Sequence, residues 1–85
     1  MNAALVSVGS ELLAAGRADT NAEWIGARLG RAGLTLESRC AVIDEPHAIA
    51  AVLRAAIARV ALVVVTGGLG PTDDDCTREG LALAL

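Results

Sequence analysis

The chain alternates three short apolar runs with three segments of helical character, and this order limits the folds open to it. The apolar runs cover residues 3–8, 34–43 and 61–65, and a helix is expected after each of them. The second helix has the clearest pattern, because apolar residues recur at helical spacing along one stripe. The stripe consists of Ile49, Val52, Leu53, Ala56, Ile57 and Val60. A β-α-β-α-β-α order predicts an α/β fold with a parallel sheet and right-handed crossover connections.

Local signals set the expected ends of the helices. Thr20 followed three residues later by Glu23 fits a capping box, and Gly33 lies where a helix end favours a left-handed residue. The segment 44–46, Asp-Glu-Pro, predicts a second helix with a carboxylate as its cap and proline in its first turn. The last helix is expected over residues 74–85, although the leucines near its end alternate as they would in a strand.

The apolar runs differ in their polarity, and this predicts where each strand lies. Residues 61–65 are uninterrupted apolar residues, which is typical of a strand buried on both faces. Residues 37–39 give the second run a polar middle, which indicates an edge strand. A sheet of three parallel strands leaves a long hydrophobic edge, and the sequence ends within an apolar helix. We therefore expect residues 1–85 to form the N-terminal part of a larger domain.

Composition excludes several classes of function. The net charge is −3 and there is one Trp but no Phe or Tyr, which argues against a nucleic-acid surface. Cys40 and Cys76 form neither a Cys-x-x-Cys pair nor a zinc pattern, so both are expected to be reduced thiols. No signal peptide and no membrane-spanning apolar run is present, so we expect a soluble cytoplasmic protein. Trp24 is expected in the core or at an interface, and Cys76 is expected to pack under the last helix.

The densest cluster of chemistry-bearing residues is Thr66–Thr77, directly after the third strand. Gly67, Gly68 and Gly70 let the backbone turn tightly, and their N–H groups are suited to cradle phosphate oxygens. A helix that begins within the following Asp/Thr cluster directs further N–H groups at the same loop. Three successive carboxylates would repel an anion bound beside them unless a cation lies between the two. Mg²⁺ is such a cation, because it binds one or two carboxylates plus substrate phosphates. The segment therefore predicts a nucleotide or pyrophosphate site with Mg²⁺ or a similar divalent cation.

The position of the site follows if the first strand is central, which gives the strand order 2-1-3. Ligands of open α/β sheets bind beyond the carboxyl ends of the strands, where the strand order reverses. The carboxyl ends of all three runs carry polar or glycine residues, which would meet at this edge. Because His47 is the only histidine, histidine-based nucleophilic catalysis has little support. The predicted catalytic residues are Asp75 and Asp44, and the predicted metal ligands are Asp75 and Asp74. The predicted nucleotide- or phosphate-binding residues are Gly9, Ser10, Glu11, Thr66, Gly67, Gly68, Gly70, Thr72 and Thr77.

The segment Thr66–Thr77 closely resembles the signature of the MoaB/Mog-like molybdopterin-binding domain. Val8–Leu13, Asp19–Asn21 and Leu69 resemble its CinA (competence/damage-inducible) branch, and Mog-type enzymes more usually have Thr at the position of Leu69. The resemblance runs from near Ala4 to the last residue. It implies a three-layer α/β/α domain about twice this length, which forms homo-oligomers.

The resemblance also implies roles for particular residues. The carboxylate matching Asp75 is catalytic or metal-binding in Mog-like adenylyltransferases, Asp44 matches the other functional Asp, and the loop Thr66–Gly70 contacts phosphate or pterin. CinA-like proteins are associated with ADP-ribose pyrophosphatase activity, whereas Mog-like members adenylylate molybdopterin with Mg-ATP. We therefore expect a fragment that binds a nucleotide pyrophosphate with a divalent cation. The alternatives are a molybdopterin adenylyltransferase step and a non-catalytic binding module, and the 85 residues alone are not expected to be active.

Overall fold

The computed structural model describes residues 1–9, 20–67 and 76–85, and the segments 10–19 and 68–75 lie outside the described residues. The described elements alternate strand and helix in the predicted order. They are β1 (Asn2–Val8), α1 (Thr20–Arg31), β2 (Thr35–Val42), α2 (Pro46–Ile57), β3 (Leu62–Thr66) and α3 (Cys76–Ala84).

The three described strands form one parallel sheet in the order β2-β1-β3, which confirms the predicted strand order and the edge position of β2. Val6, near the middle of β1, pairs with Cys40 of β2 on one side and with Val65 of β3 on the other. The register between β1 and β2 shifts between Ala3 and Ala4. Because β1 lies between two neighbours and beneath helices, all its residues after Asn2 are buried.

The prediction that the third strand is buried on both faces is wrong for β3. Leu62 is 37% exposed, and residues 63–66 are half-buried. The physical reason is position, because β3 is an edge strand of the described sheet and has β1 on one side only. The uninterrupted apolar run was a correct sign of a strand, but it did not show which strand is central.

Helices cover the two faces of the sheet in different ways. Helix α2 packs on the face that presents Val6 and Val8, and this face carries the main apolar core. Helix α3 packs chiefly on α2 and contributes Cys76 to the same core. The core cluster consists of Val6, Val8, Val42, Ile49, Leu53 and Cys76. Helix α1 packs on β2 and β1, where Gly26 lies close to Leu36.

Trp24 is 61% exposed, so of the two places expected for it the core is excluded, and its place at an interface stays a prediction. The reason is helical geometry. The buried or half-buried positions of α1 follow the spacing i, i+3, i+4 and i+7, and Trp24 lies outside that stripe. The stripe consists of Ala22, Ile25, Gly26 and Leu29. Instead, the Trp24 ring contacts the guanidinium of Arg28, whose central carbon lies 4.6 Å from the ring centre.

The C-terminal end of α1 matches its local signal, whereas α3 overrides the one near its end. Gly33 follows α1 with a φ of +86°, as predicted for the left-handed residue after a helix, and Leu34 N donates to Leu29 O at 2.9 Å. Helix α3 is helical to Ala84 despite the alternating leucines. Its Gly80 is buried against Ile49 of α2, so the two helices approach closely. Across the described residues, none of the helices has the length and apolar character needed to cross a membrane.

Candidate functional site

The carboxyl ends of β1 and β2 are joined by a backbone hydrogen bond. Gly9 N, directly after β1, donates to the carbonyl oxygen of Val42, the last residue of β2, at 2.9 Å. This bond extends the parallel pairing of β1 and β2 by one residue, to the point where both strands end. The predicted site residue Gly9 therefore lies beside the segment that leads to Asp44.

The carboxyl end of β3 lies against the same point of β1. Gly67, the first residue after β3, has a φ of +85°, a conformation that L side chains rarely adopt. A Cβ atom at Gly67 would also overlap the carbonyl oxygen of Val8. Glycine is required here for two independent reasons, and the close approach that it allows brings the exits of β1 and β3 together.

Two consecutive residues at the start of α3 join this helix to the exits of two strands. The Thr77 hydroxyl donates to the carbonyl oxygen of Gly67 at 2.6 Å, and the Cys76 thiol donates to the carbonyl oxygen of Asp44 at 3.2 Å. Cys76 and Thr77 are both buried. The first turn of α3 is therefore fixed relative to both β3 and the segment after β2.

The carboxylate that caps α2 is that of Glu45. Its Oε2 accepts a hydrogen bond from Ala48 N at 2.7 Å, and this bond is the main reason why the pKa of Glu45 lies below its ordinary value. A second backbone hydrogen bond and the charge of His47 lower that pKa further, and they outweigh the opposing effect of desolvation. Asp44 is thus not the helix cap, and it is exposed at the carboxyl end of β2. The carboxylate cap expected for segment 44–46 is confirmed.

The described site residues of the sequence prediction lie at one edge of the sheet. Asp44, Gly67 and Thr77 are joined there through the hydrogen bonds above, and Thr66 is the half-buried last residue of β3. We refer to this edge, made of residues 8–9, 42–44, 66–67 and 76–77, as the carboxyl rim. The remaining predicted site residues lie outside the described residues: Ser10, Glu11, Gly68, Gly70, Thr72, Asp74 and Asp75.

Sequence reasoning missed the part that Cys76 plays in this arrangement. Its burial was predicted, and the buried thiol confirms it, but its hydrogen bond to Asp44 O was not expected. The sequence signal that could have indicated this role is the place of Cys76 inside the segment Thr66–Thr77, directly before Thr77. Thr77 was predicted as a hydroxyl donor to phosphate, and in the structure this hydroxyl donates to Gly67 O.

Among the residues of the carboxyl rim, Asp44 is the one that could offer a carboxylate to a divalent cation. Within the described ranges there is no group of three or more His, Cys, Asp and Glu side chains that would suit a metal ion. Asp44 supplies one exposed carboxylate at the carboxyl rim, which fits a single ligand or a second-sphere partner. Asp74 and Asp75 remain predicted ligands in the segment 68–75.

Comparison with known proteins relates the whole chain to one family. Residues 4–85 match the family described as a probable molybdopterin binding domain. The CinA-like protein of Solibacter usitatus is 45% identical over 85 residues, which are 100% of this chain and 20% of that protein. The CinA-like protein of Citrifermentans bemidjiense is 48% identical over 84 residues, which are 99% of this chain and 20% of that protein. The chain thus spans about a fifth of the length of these curated relatives.

Two solved structures share the fold. CinA of Thermoplasma acidophilum superimposes with a TM-score of 0.94 at 39% identity, over 99% of this chain and 51% of that one. The molybdopterin biosynthesis enzyme MoaB of Thermus thermophilus gives a TM-score of 0.86 at 26% identity, over 95% of this chain and 52% of that one. These matches confirm the family that the motif predicted and the incomplete α/β domain. The chain belongs to the molybdopterin-binding-domain family, and its relatives include CinA-like proteins.

Proposed function

We propose that this chain forms one wall of a site for a nucleotide pyrophosphate held with Mg²⁺ or a similar divalent cation. In this proposal the complete CinA-like domain hydrolyses a phosphoanhydride such as that of ADP-ribose. The observation that supports it most is the carboxyl rim, where hydrogen bonds join the exits of all three strands to the start of α3. Ligands of open α/β sheets bind at such an edge.

Each candidate residue has a chemical role in this proposal. The backbone N–H groups of Gly67, Gly68 and Gly70 donate to phosphate oxygens. Asp75, with Asp74, holds the cation, which when bound offsets negative charge on the phosphoryl group. Asp44 orients a water molecule and accepts its proton. The water oxygen bonds to phosphorus while the bridging P–O bond breaks, and ADP-ribose yields AMP and ribose 5-phosphate.

A second candidate is adenylyl transfer to molybdopterin. It is favoured by the similarity to MoaB, a molybdopterin biosynthesis enzyme, which superimposes over 95% of this chain. Leu69 and the opening segment, which resemble the CinA branch, favour hydrolysis instead. A third candidate is a binding module without catalysis, since the chain spans 20% of its CinA-like relatives and the activity of the whole proteins need not reside in this part.

The decisive test uses a chimera in which this chain replaces the matching segment of the Solibacter usitatus CinA-like protein. We expect the chimera to hydrolyse ADP-ribose in the presence of Mg²⁺ and not to adenylylate molybdopterin with ATP. Asp75→Asn and Asp44→Asn should abolish hydrolysis with little change in melting temperature. Glu79→Gln, a charge removal at an exposed position of α3, is the matched control and should leave turnover unchanged.

The outcomes separate the three candidates. If the chimera turns over ATP plus molybdopterin but not ADP-ribose, the adenylyltransferase is favoured. If Asp75→Asn and Asp44→Asn both leave turnover unchanged from that of the unsubstituted chimera, neither residue is catalytic. Calorimetric titration of the 85-residue chain with ADP-ribose and Mg²⁺ should show weak binding or none. Tight binding would mean that the remainder of the domain is not needed for the pocket.

A further inference from the structure

Asp44 lies at the centre of a three-residue turn between β2 and α2. Glu45 N donates to the carbonyl oxygen of Ile43 at 2.8 Å, which is the i to i+2 hydrogen bond of a γ-turn. Glu45 is itself fixed to α2, because its side chain accepts from Ala48 N and its carbonyl oxygen accepts from Ile49 N at 3.0 Å. Hydrogen bonds therefore restrain the residues on both sides of Asp44.

The carbonyl oxygen of Asp44 is bound from a distant part of the chain. The Cys76 thiol donates to it at 3.2 Å, across 32 positions of sequence. Cys76 is buried in one apolar cluster with Val42 and Ile49, which lie on either side of the turn. A thiol is a weak donor, but its hydrogen bond is stronger in such apolar surroundings than in water. The backbone of Asp44 is thus restrained on the inner side, while the residue itself is exposed at the carboxyl rim.

The helix that carries this thiol is fixed to α2 along its length. In the middle of α3, Gly80 lies against Ile49 of α2. Near the end of α3, Arg54 of α2 donates through Nη2 to the carbonyl oxygen of Leu83 at 2.6 Å. Because α2 begins two residues after Asp44, the turn and α3 share one support. The Cys76 thiol is therefore placed by contacts that do not involve Asp44.

We propose that Cys76 is a positioning residue, whose thiol sets the direction in which the Asp44 carboxylate leaves the turn. The proposal rests on the proposed function, in which Asp44 orients the attacking water and accepts its proton. Cys76 acts only through the backbone of Asp44 and does not touch the substrate. With the carbonyl and both neighbours of Asp44 restrained, its side chain keeps only its own rotamers. A displacement of about 1 Å at a catalytic group can slow turnover by about a hundredfold, so one such bond affects the rate.

The first test needs no substrate and follows amide hydrogen exchange in this chain. Cys76→Ala should speed exchange of the Glu45 amide by about tenfold, relative to the amides of β1, which report unfolding of the whole sheet. Cys76→Ser retains a donor and should change it less. Thr77→Val is the matched control, because it removes the neighbouring buried hydrogen bond to Gly67 and should leave the Glu45 amide unchanged relative to β1. Cys76→Val fills the apolar cluster without a donor, and it decides the matter if Cys76→Ala does not fold.

The second test measures turnover of ADP-ribose with Mg²⁺ in the chimera. Cys76→Ala should lower kcat by about tenfold and leave KM within about twofold, because substrate binding is retained while the water is poorly oriented. Cys76→Ser should restore kcat to within about threefold of the unsubstituted chimera, since it supplies a hydroxyl donor. Cys40→Ala removes the exposed thiol of β2, and as the matched control it should change neither constant.

The two tests separate this proposal from the proposed function. A chimera that does not hydrolyse ADP-ribose contradicts the hydrolysis, and the exchange of the Glu45 amide then decides the role of Cys76. If the chimera turns over ATP plus molybdopterin instead, the same comparison of kcat is made on that reaction. An unchanged Glu45 amide in Cys76→Ala and in Cys76→Val overturns the positioning role. An active chimera in which Cys76→Ala raises KM alone, or changes neither constant, overturns it as well.

Discussion

Thr77 Oγ1 donates a hydrogen bond of 2.6 Å to the carbonyl oxygen of Gly67, and this bond joins the first turn of α3 to the residue that leaves β3. The two residues enclose the segment 68–75, which carries the predicted metal ligands. The bond thus connects the packing of α3 with the geometry of the candidate site.

We expect Thr77→Val to lower the free energy of unfolding by about 1–2 kcal/mol, because it leaves the Gly67 carbonyl without this donor at a buried position. Thr77→Ser keeps the hydroxyl and should cost less. Urea denaturation followed by circular dichroism measures both values. A negligible loss in Thr77→Val, or a larger loss in Thr77→Ser than in Thr77→Val, would show that the methyl group contributes more than the hydrogen bond.

Gly67→Ala should destabilise the chain by more than about 1 kcal/mol, because the new side chain meets both a positive φ and the Val8 carbonyl oxygen. Gly33→Ala is the matched control. Gly33 has a similar φ of +86° but open space around its Cβ position, so it tests the backbone conformation alone. Thermal denaturation of the two variants compares them. If Gly33→Ala costs as much as Gly67→Ala, the contact with Val8 contributes nothing.

The helical glycines Gly80 and Gly30 should respond in opposite directions to alanine. A Cβ at Gly80 would lie 2.5 Å from Ile49 Cγ2 and 3.2 Å from Pro46 O, so Gly80→Ala should force α2 and α3 apart and cost about 1–3 kcal/mol. Gly30 in α1 has nothing within 4 Å of that position. Gly30→Ala should therefore stabilise the chain by up to about 1 kcal/mol through helix propensity. Denaturant midpoints of the two variants provide the comparison, and a shift of the same sign in both would contradict it.

Stability should fall in acid partly through Glu45. Its pKa in the folded chain is lowered, chiefly by the hydrogen bond from Ala48 N. The ionised carboxylate therefore favours the folded state above the ordinary pKa of 4.5, and this contribution is lost as the pH falls from there through the lowered value. Glu45→Gln cannot ionise, so its melting temperature should depend less steeply on pH below 4.5. If the melting temperatures of the unsubstituted chain and of Glu45→Gln depend equally steeply on pH, Glu45 makes no such contribution.

Several features of the fold could be predicted from local sequence because local interactions determine them. The stripe of α2 from Ile49 to Ala56, the left-handed Gly33 and the carboxylate cap each depend on residues a few positions apart, whereas the predicted members Ile57 and Val60 are exposed or lie beyond the helix. The carboxyl rim was also anticipated, since parallel strands with helical crossovers place their carboxyl ends at one edge. By contrast, the exposure of Trp24 and the incomplete burial of β3 depend on which surfaces face each other across the fold, and no local pattern encodes that.

The sequence by itself determined the order of elements, the family and the placement of glycine where β3 ends, because periodicity, turn chemistry and a long motif are properties of neighbouring residues. Only the tertiary structure decided that β1 is the buried strand, and that Cys76 and Thr77 join α3 to two strand exits. These features require groups up to 32 positions apart to meet, and such contacts form only when the sheet and helices have packed.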